Sequence, residues 1–133
     1  MKEPKKKEVS LVRNVLNKCK YSYQGLSYCF QNESSFLIEA ICACLIIIMG
    51  IVFDITFLEW VISFGSLCLI TIIELLNTAI EATVDMVTQE YNEYAKIAKD
   101  CGSAATGIMT LLAMLVNLII FVPYFIKLFV DLF

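Results

Sequence analysis

Hydrophobic positions in this chain fall into four blocks, and the first differs in kind from the other three. From Val12 to Phe30 the residues Val12, Val15, Leu16, Cys19, Tyr23, Leu26 and Phe30 recur at helical spacing. At about 100° per residue they occupy an arc of about 100°, with Arg13, Asn17, Lys18 and Gln24 outside it. This predicts an amphipathic helix over residues 9–31, lying in the headgroup layer of a membrane or packed on a partner protein. Three long apolar segments follow, at about 36–53, 57–83 and 104–127. The first carries no charge after Glu39, the second none from Trp60 to Ile73, and the third none from Gly102 to Ile126. Some 20 apolar residues are enough to cross a bilayer as a helix. Backbone in hydrocarbon must satisfy its own hydrogen bonds, and the alternation of a strand barrel is missing, so all three are expected to be helices. The predicted fold is all-α: an integral membrane protein of three transmembrane helices and an N-terminal surface helix. Residues 1–133 are read as one domain, with 1–8 a flexible tail and 84–103 a cytoplasmic loop. No apolar core of a leader follows Lys2, Lys5, Lys6 and Lys7 closely enough for cleavage to be expected.

Composition closes off other readings. The 133 residues are 59% hydrophobic and 17% charged, with mean hydropathy +0.78. A soluble domain this short has no interior large enough for so much apolar surface. A net charge of −3 and a pI near 4.9 argue against a nucleic-acid binder. Histidine is absent, so acid–base chemistry falls to carboxylates, Lys, Tyr or Cys. The six cysteines form no CxxC and have no His to complete a zinc set; they are read as small apolar packing residues. Seven of the ten basic residues precede the first span, Lys96 and Lys99 lie between the second and third, and Asp54–Glu59 has none. The positive-inside tendency therefore places the N-terminus and the 84–101 segment in the cytoplasm, with Trp60 at the outer interface.

Chemistry concentrates where the second span meets the cytoplasm. Glu74, Asn77, Glu81 and Asp85 share an arc of about 80° on a helix, flanked by Thr71 and Thr78 and continued by Ser63. A carboxylate inside a bilayer costs at least a few kcal/mol, which makes an intramembrane acid a functional candidate. For Asn77 and Thr78 alone, a stripe of interhelical hydrogen bonds is the simpler account. Glu74 and Glu81 together suit a base and a hard-cation ligand. Glu33, in Asn32-Glu33-Ser34-Ser35-Phe36, is most simply a charge at a helix N-terminus. At the depth of Glu81 it would also make half of a Mg²⁺–nucleotide cradle. Lys99 and Asp100 precede Gly102, Ser103, Ala104 and Ala105, where a cation for phosphate adjoins residues small enough for close approach. Gly102 and Gly107 have P-loop spacing, but Ile108 and Met109 stand where Lys and Ser or Thr are needed.

Glu74-Leu-Leu-Asn-Thr-Ala-Ile-Glu81, then Asp85, Glu90-Tyr91 and Ala98-Lys-Asp-Cys-Gly-Ser-Ala-Ala105, resembles the small bacterial membrane diacylglycerol kinases and their relatives, the undecaprenol kinases. Tyr21-Ser-Tyr-Gln-Gly-Leu26 and Asn32-Glu-Ser-Ser-Phe36 resemble other blocks of that family in the same order, so the likeness spans roughly residues 13–120. It implies a homotrimer of three-span subunits in the bacterial inner membrane, with active sites at subunit interfaces. The implied reaction moves the γ-phosphate of ATP, with Mg²⁺, to the primary hydroxyl of diacylglycerol. By motif position Glu74 matches the general base and Asn77 its polar support, and Glu33 and Glu81 match the Mg²⁺–ATP carboxylates. Tyr21, Glu90, Tyr91, Asn92, Lys99 and Asp100 correspond to nucleotide contacts, and Ser103 to a lipid-side contact. Three positions depart from the pattern: Asn14 and Gln24 stand where a basic residue is frequent, and Asn92 where a His is common. The Gly-Ser-Ala-Ala run favours the diacylglycerol branch over undecaprenol as acceptor. Two other classes compete with the kinase, a small oligomeric membrane assembly protein and an ion-coupled transporter using Glu74 and Glu81.

Overall fold

The structure, a computed structural model, describes residues 11–132. The expected tail over 1–8 and the first two residues of the expected surface helix lie outside them. Four helices account for nearly all of the described chain: α1 (Leu11–Asn32), α2 (Ser34–Val52), α3 (Phe57–Val87) and α4 (Glu93–Leu132). Among the described residues there is no strand. α2, α3 and α4 are each long and apolar enough to cross a membrane, so the all-helical, three-span architecture read from the apolar blocks is the architecture observed.

Glu33 alone separates α1 from α2. Its backbone is extended (φ −112°, ψ 119°), while its N–H still donates to the Cys29 carbonyl at 2.8 Å and completes the last turn of α1. The ring of Phe30 then meets that of Phe36 at 5.3 Å, and Phe36 is buried. Most of the apolar face of α1 gains no cover from the other described residues; Val12, Leu16 and Tyr23 remain exposed. Such a face must be covered by lipid or by another protein.

The α2–α3 turn is tightly specified. Asp54 takes the left-handed conformation (φ 50°), which Asp tolerates better than most side chains. Thr56 and Glu59 form a capping box at the start of α3. Ile46, Ile55, Ile120 and Phe121 are buried together there, with Met49, Phe53, Trp60, Leu67, Val116 and Tyr124 against them. Trp60, expected at the outer interface, lies over Gly50 and stacks on Phe64 at 5.6 Å. A second cluster of Ile70, Met109 and Ala113 joins the middles of α3 and α4, which run as an antiparallel pair.

One boundary differs from expectation. The segment read as a loop over 84–103 is helical except for Thr88–Asn92, because α3 continues to Val87 and α4 already begins at Glu93. Charged residues mark where the apolar stretches end, but they do not end a helix. The 31 residues of α3 and the 40 of α4 give about 46 and 60 Å at 1.5 Å per residue. The hydrocarbon layer is only about 30 Å thick, so both helices project beyond it. Asn92 makes the early start of α4 possible: its Oδ1 accepts the N–H groups of Tyr94 at 2.9 Å and Ala95 at 3.1 Å, satisfying two of the donors that open a helix. The cysteines differ as well. Only Cys29 is buried; Cys19, Cys42, Cys44, Cys68 and Cys101 are exposed on the single chain. A thiol is apolar enough to face lipid, so packing within the chain is not what these five do.

Candidate active site

The polar stripe of α3 divides into a buried part and an open part. Glu74 and Thr78 are buried. The Thr78 hydroxyl donates back to the Glu74 carbonyl at 3.1 Å, which commits its proton to the helix backbone. The Glu74 side chain keeps one buried oxygen, Oε2, with no hydrogen-bond partner among the described residues. One turn on, Asn77 Nδ2 donates to Glu81 Oε1 at 3.1 Å, leaving Asn77 Oδ1 buried and unpartnered. Gly102 of α4 is pressed against that Oδ1, and a methyl group on Gly102 would collide with it. The α4 backbone therefore approaches the stripe closely only because this position has no side chain.

Each of these groups is costly where it is. A buried polar atom without a partner destabilises a fold by about 1–3 kcal/mol, and an acid more. Glu74 Oε2 and Asn77 Oδ1 present two such atoms within one turn of helix.

The open part lies at the α3–α4 turn. Asp85, Thr88, Gln89, Glu90, Tyr91, Asn92, Lys96 and Lys99 line a cleft of about 250 Å³ with Val84 and Ala95. Four expected nucleotide contacts (Glu90, Tyr91, Asn92 and Lys99) thus come together without a partner chain. Thr88 Oγ1 accepts the Glu90 N–H at 3.2 Å and donates to the Glu90 carbonyl, pinning the turn. Lys99 Nζ bonds Asp85 Oδ1 at 2.6 Å. Asp100 pairs more loosely with Lys96, at 3.9 Å on the exposed side of α4, and does not line the cleft. The carboxamide oxygen of Asn92 is committed to the α4 cap, which leaves its Nδ2 for any ligand.

Besides Asp100, three expected site residues belong neither to the α3 stripe nor to the lining of the cleft. Tyr21 is exposed on α1; Ser103 is exposed on α4, one position past Gly102. Glu33 is half-buried at the start of α2, and its side chain makes no cap bond. Two contacts went unread in the sequence. Thr71 donates to Glu39 Oε2 at 2.8 Å and ties α2 to the stripe. Asn117 donates to Ser66 Oγ at 3.0 Å and to the Ala113 carbonyl at 2.8 Å in the middle of the α3–α4 pair. Its signal was available: one carboxamide within a charge-free span.

Among the described residues no three His, Cys, Asp or Glu side chains gather as a metal site. What the stripe offers is a sparse set of hard oxygens, from Glu81 and Asn77. That set suits a Mg²⁺ ion that keeps waters and phosphate oxygens around it, and would not retain a resident metal.

Residues 20–121 match the family of prokaryotic diacylglycerol kinases. The chain is 34% identical over 115 residues to an undecaprenol kinase of Bacillus subtilis, covering 84% of this chain and 94% of that protein. It is 38% identical over 95 residues to a diacylglycerol kinase of Haemophilus influenzae, covering 71% and 80%. With a diacylglycerol kinase of Escherichia coli K12 the identity is 35% over 101 residues, covering 76% and 83%.

Proposed function

The chain belongs to the prokaryotic diacylglycerol kinase family of membrane lipid kinases, and on that premise we propose that it transfers the γ-phosphate of ATP to the primary hydroxyl of diacylglycerol, giving phosphatidic acid. The reaction would run at the cytoplasmic surface of the bacterial inner membrane, in a homotrimer whose subunits, each a single domain, complete one another's sites. The observation that carries the reading is the unpartnered Glu74 oxygen, buried within a membrane span on the same helix face as an open polar cleft. From Glu74 through Asn77 and Glu81 to Asp85 the stripe climbs about 16 Å along α3. A nucleotide entering at the cleft from water would point its terminal phosphate inward, while a lipid hydroxyl arrives laterally from the bilayer.

Phosphoryl transfer asks mainly for positioning and charge neutralisation. Lys99 supplies a cation for the phosphates; Glu90, Tyr91 and Asn92 line the cleft around the nucleotide, and Asp100 and Tyr21 add contacts from α4 and α1. Glu81 and Glu33 would hold Mg²⁺, which supplies neutralisation of the triphosphate charge. Asn77 fixes Glu81 through its 3.1 Å bond. Glu74 takes the proton of the lipid hydroxyl as the oxygen attacks. Ser103 faces the lipid side.

The test offers labelled ATP and Mg²⁺ with diacylglycerol and undecaprenol in parallel mixed micelles of purified protein. Labelled phosphatidic acid as the major product is expected. Undecaprenyl phosphate in excess would move the chain to the other branch, a reading favoured by its alignment over 94% of the Bacillus undecaprenol kinase. Product from neither lipid would refute both.

A further inference from the structure

Lys99 is the cation that the proposed reaction relies on, and the structure gives it a partner that the reaction does not require. We propose that Asp85 is a positioning residue that aims the Lys99 ammonium into the α3–α4 cleft for the phosphates of the nucleotide; this rests on the kinase reading above. Asp85 stands near the end of α3 and Lys99 in the second turn of α4, so their 2.6 Å contact crosses the turn that forms the cleft. Both line it. A free lysine on a helix surface samples many rotamers of a four-carbon stem. One strong bond to Asp85 removes that freedom and uses one of three ammonium donors, leaving two for phosphate oxygens.

Stability alone does not explain the pair. The side chains are 38% and 53% exposed, and ion pairs as open as this add little to folding. The other Lys–Asp pair on this surface, Lys96 with Asp100, is longer at 3.9 Å and spans one helical turn, so it constrains nothing across the cleft. Asp85 Oδ1 instead places a negative charge where a triphosphate must come, which is tolerable only if Lys99 lies between them. The arrangement thus predicts that losing the Asp85 charge harms nucleotide use, although electrostatic repulsion alone would predict improvement.

The experiment is a double-mutant cycle on the full-length protein in mixed micelles, with ATP, Mg²⁺ and diacylglycerol. Its variants are Asp85→Asn, Asp85→Glu, Lys99→Ala and Asp85→Asn with Lys99→Ala. Asp85→Asn should lower kcat/KM for ATP by about tenfold, a loss within the range of a strong charged contact. Asp85→Glu should recover part of it, and Asp85→Asn should change activity less than twofold once Lys99 is gone. Binding of a trinitrophenyl-ATP probe, read by fluorescence, supplies the same cycle where turnover is too slow to measure. In that assay ATP should compete less well against Asp85→Asn, while adenosine, which has no phosphates, competes as before. Equal losses in both backgrounds, or an Asp85→Asn protein that uses ATP as well as or better than the parent, would overturn the role of Asp85. A parent protein inactive toward diacylglycerol and undecaprenol alike would overturn the kinase reading itself.

Discussion

The two ends of the α3–α4 pair treat their polar groups in opposite ways. At the α2–α3 turn one oxygen of Glu59 accepts from the Thr56 N–H and hydroxyl at 2.7 Å each and from the Tyr124 hydroxyl at 2.8 Å. At the same end Phe53 packs against Tyr124 and Phe125, at 5.7 and 4.8 Å between ring centres. Ten and thirteen residues in from the other end of α3, Asn77 and Glu74 keep buried oxygens with no partner among the described residues. The first end satisfies its acid within the chain; the second leaves two buried oxygens without a partner among the described residues. Ser63 Oγ and Asn117 Oδ1 lie unpartnered in between, but they are neutral and cost less than an acid. The contrast separates the part of the fold that supplies rigidity from the part proposed to supply chemistry.

Substitutions can sharpen or break that contrast. The largest effect should come from Glu74→Gln, which keeps shape and removes the proposed base. Lipid phosphorylation should fall by about 10²–10⁴, the range of a general base, with the helical content by circular dichroism unchanged. A variant with normal turnover would make Glu74 a structural acid. Gly102→Ala should come next, because its methyl displaces the Asn77 carboxamide and so breaks the bond to Glu81. Turnover should fall at least tenfold, on the order of one strong hydrogen bond, with a smaller loss of thermal stability. Gly50→Ala should reverse that ratio. The methyl meets the Trp60 ring, and overpacking should cost about 1–2 kcal/mol in denaturant titration, while activity per folded molecule stays normal. Trp60→Leu in the same background should recover part of the stability. The smallest effect belongs to Tyr124→Phe, which removes one of three donors to Glu59 and should lower the thermal midpoint slightly with activity unaffected. Were Gly50→Ala or Tyr124→Phe to abolish turnover at full stability, the division between the two ends would not hold.

The sequence by itself determined the number and kind of helices, since apolar blocks of spanning length leave the backbone no other way to satisfy its hydrogen bonds. It also determined the polar stripe, because helical periodicity alone places Glu74, Asn77, Glu81 and Asp85 on one face. Three matters were decided only in three dimensions. Helix ends depend on caps rather than on charge, so Asn92 and the long projections of α3 and α4 were hidden in what read as a loop. Which buried oxygens keep no partner depends on where Gly102 brings α4, a contact between residues 25 apart in the chain. The pairing of Lys99 with Asp85 exists because the turn folds one helix back on the other, and a linear pattern records charges without recording which of them meet.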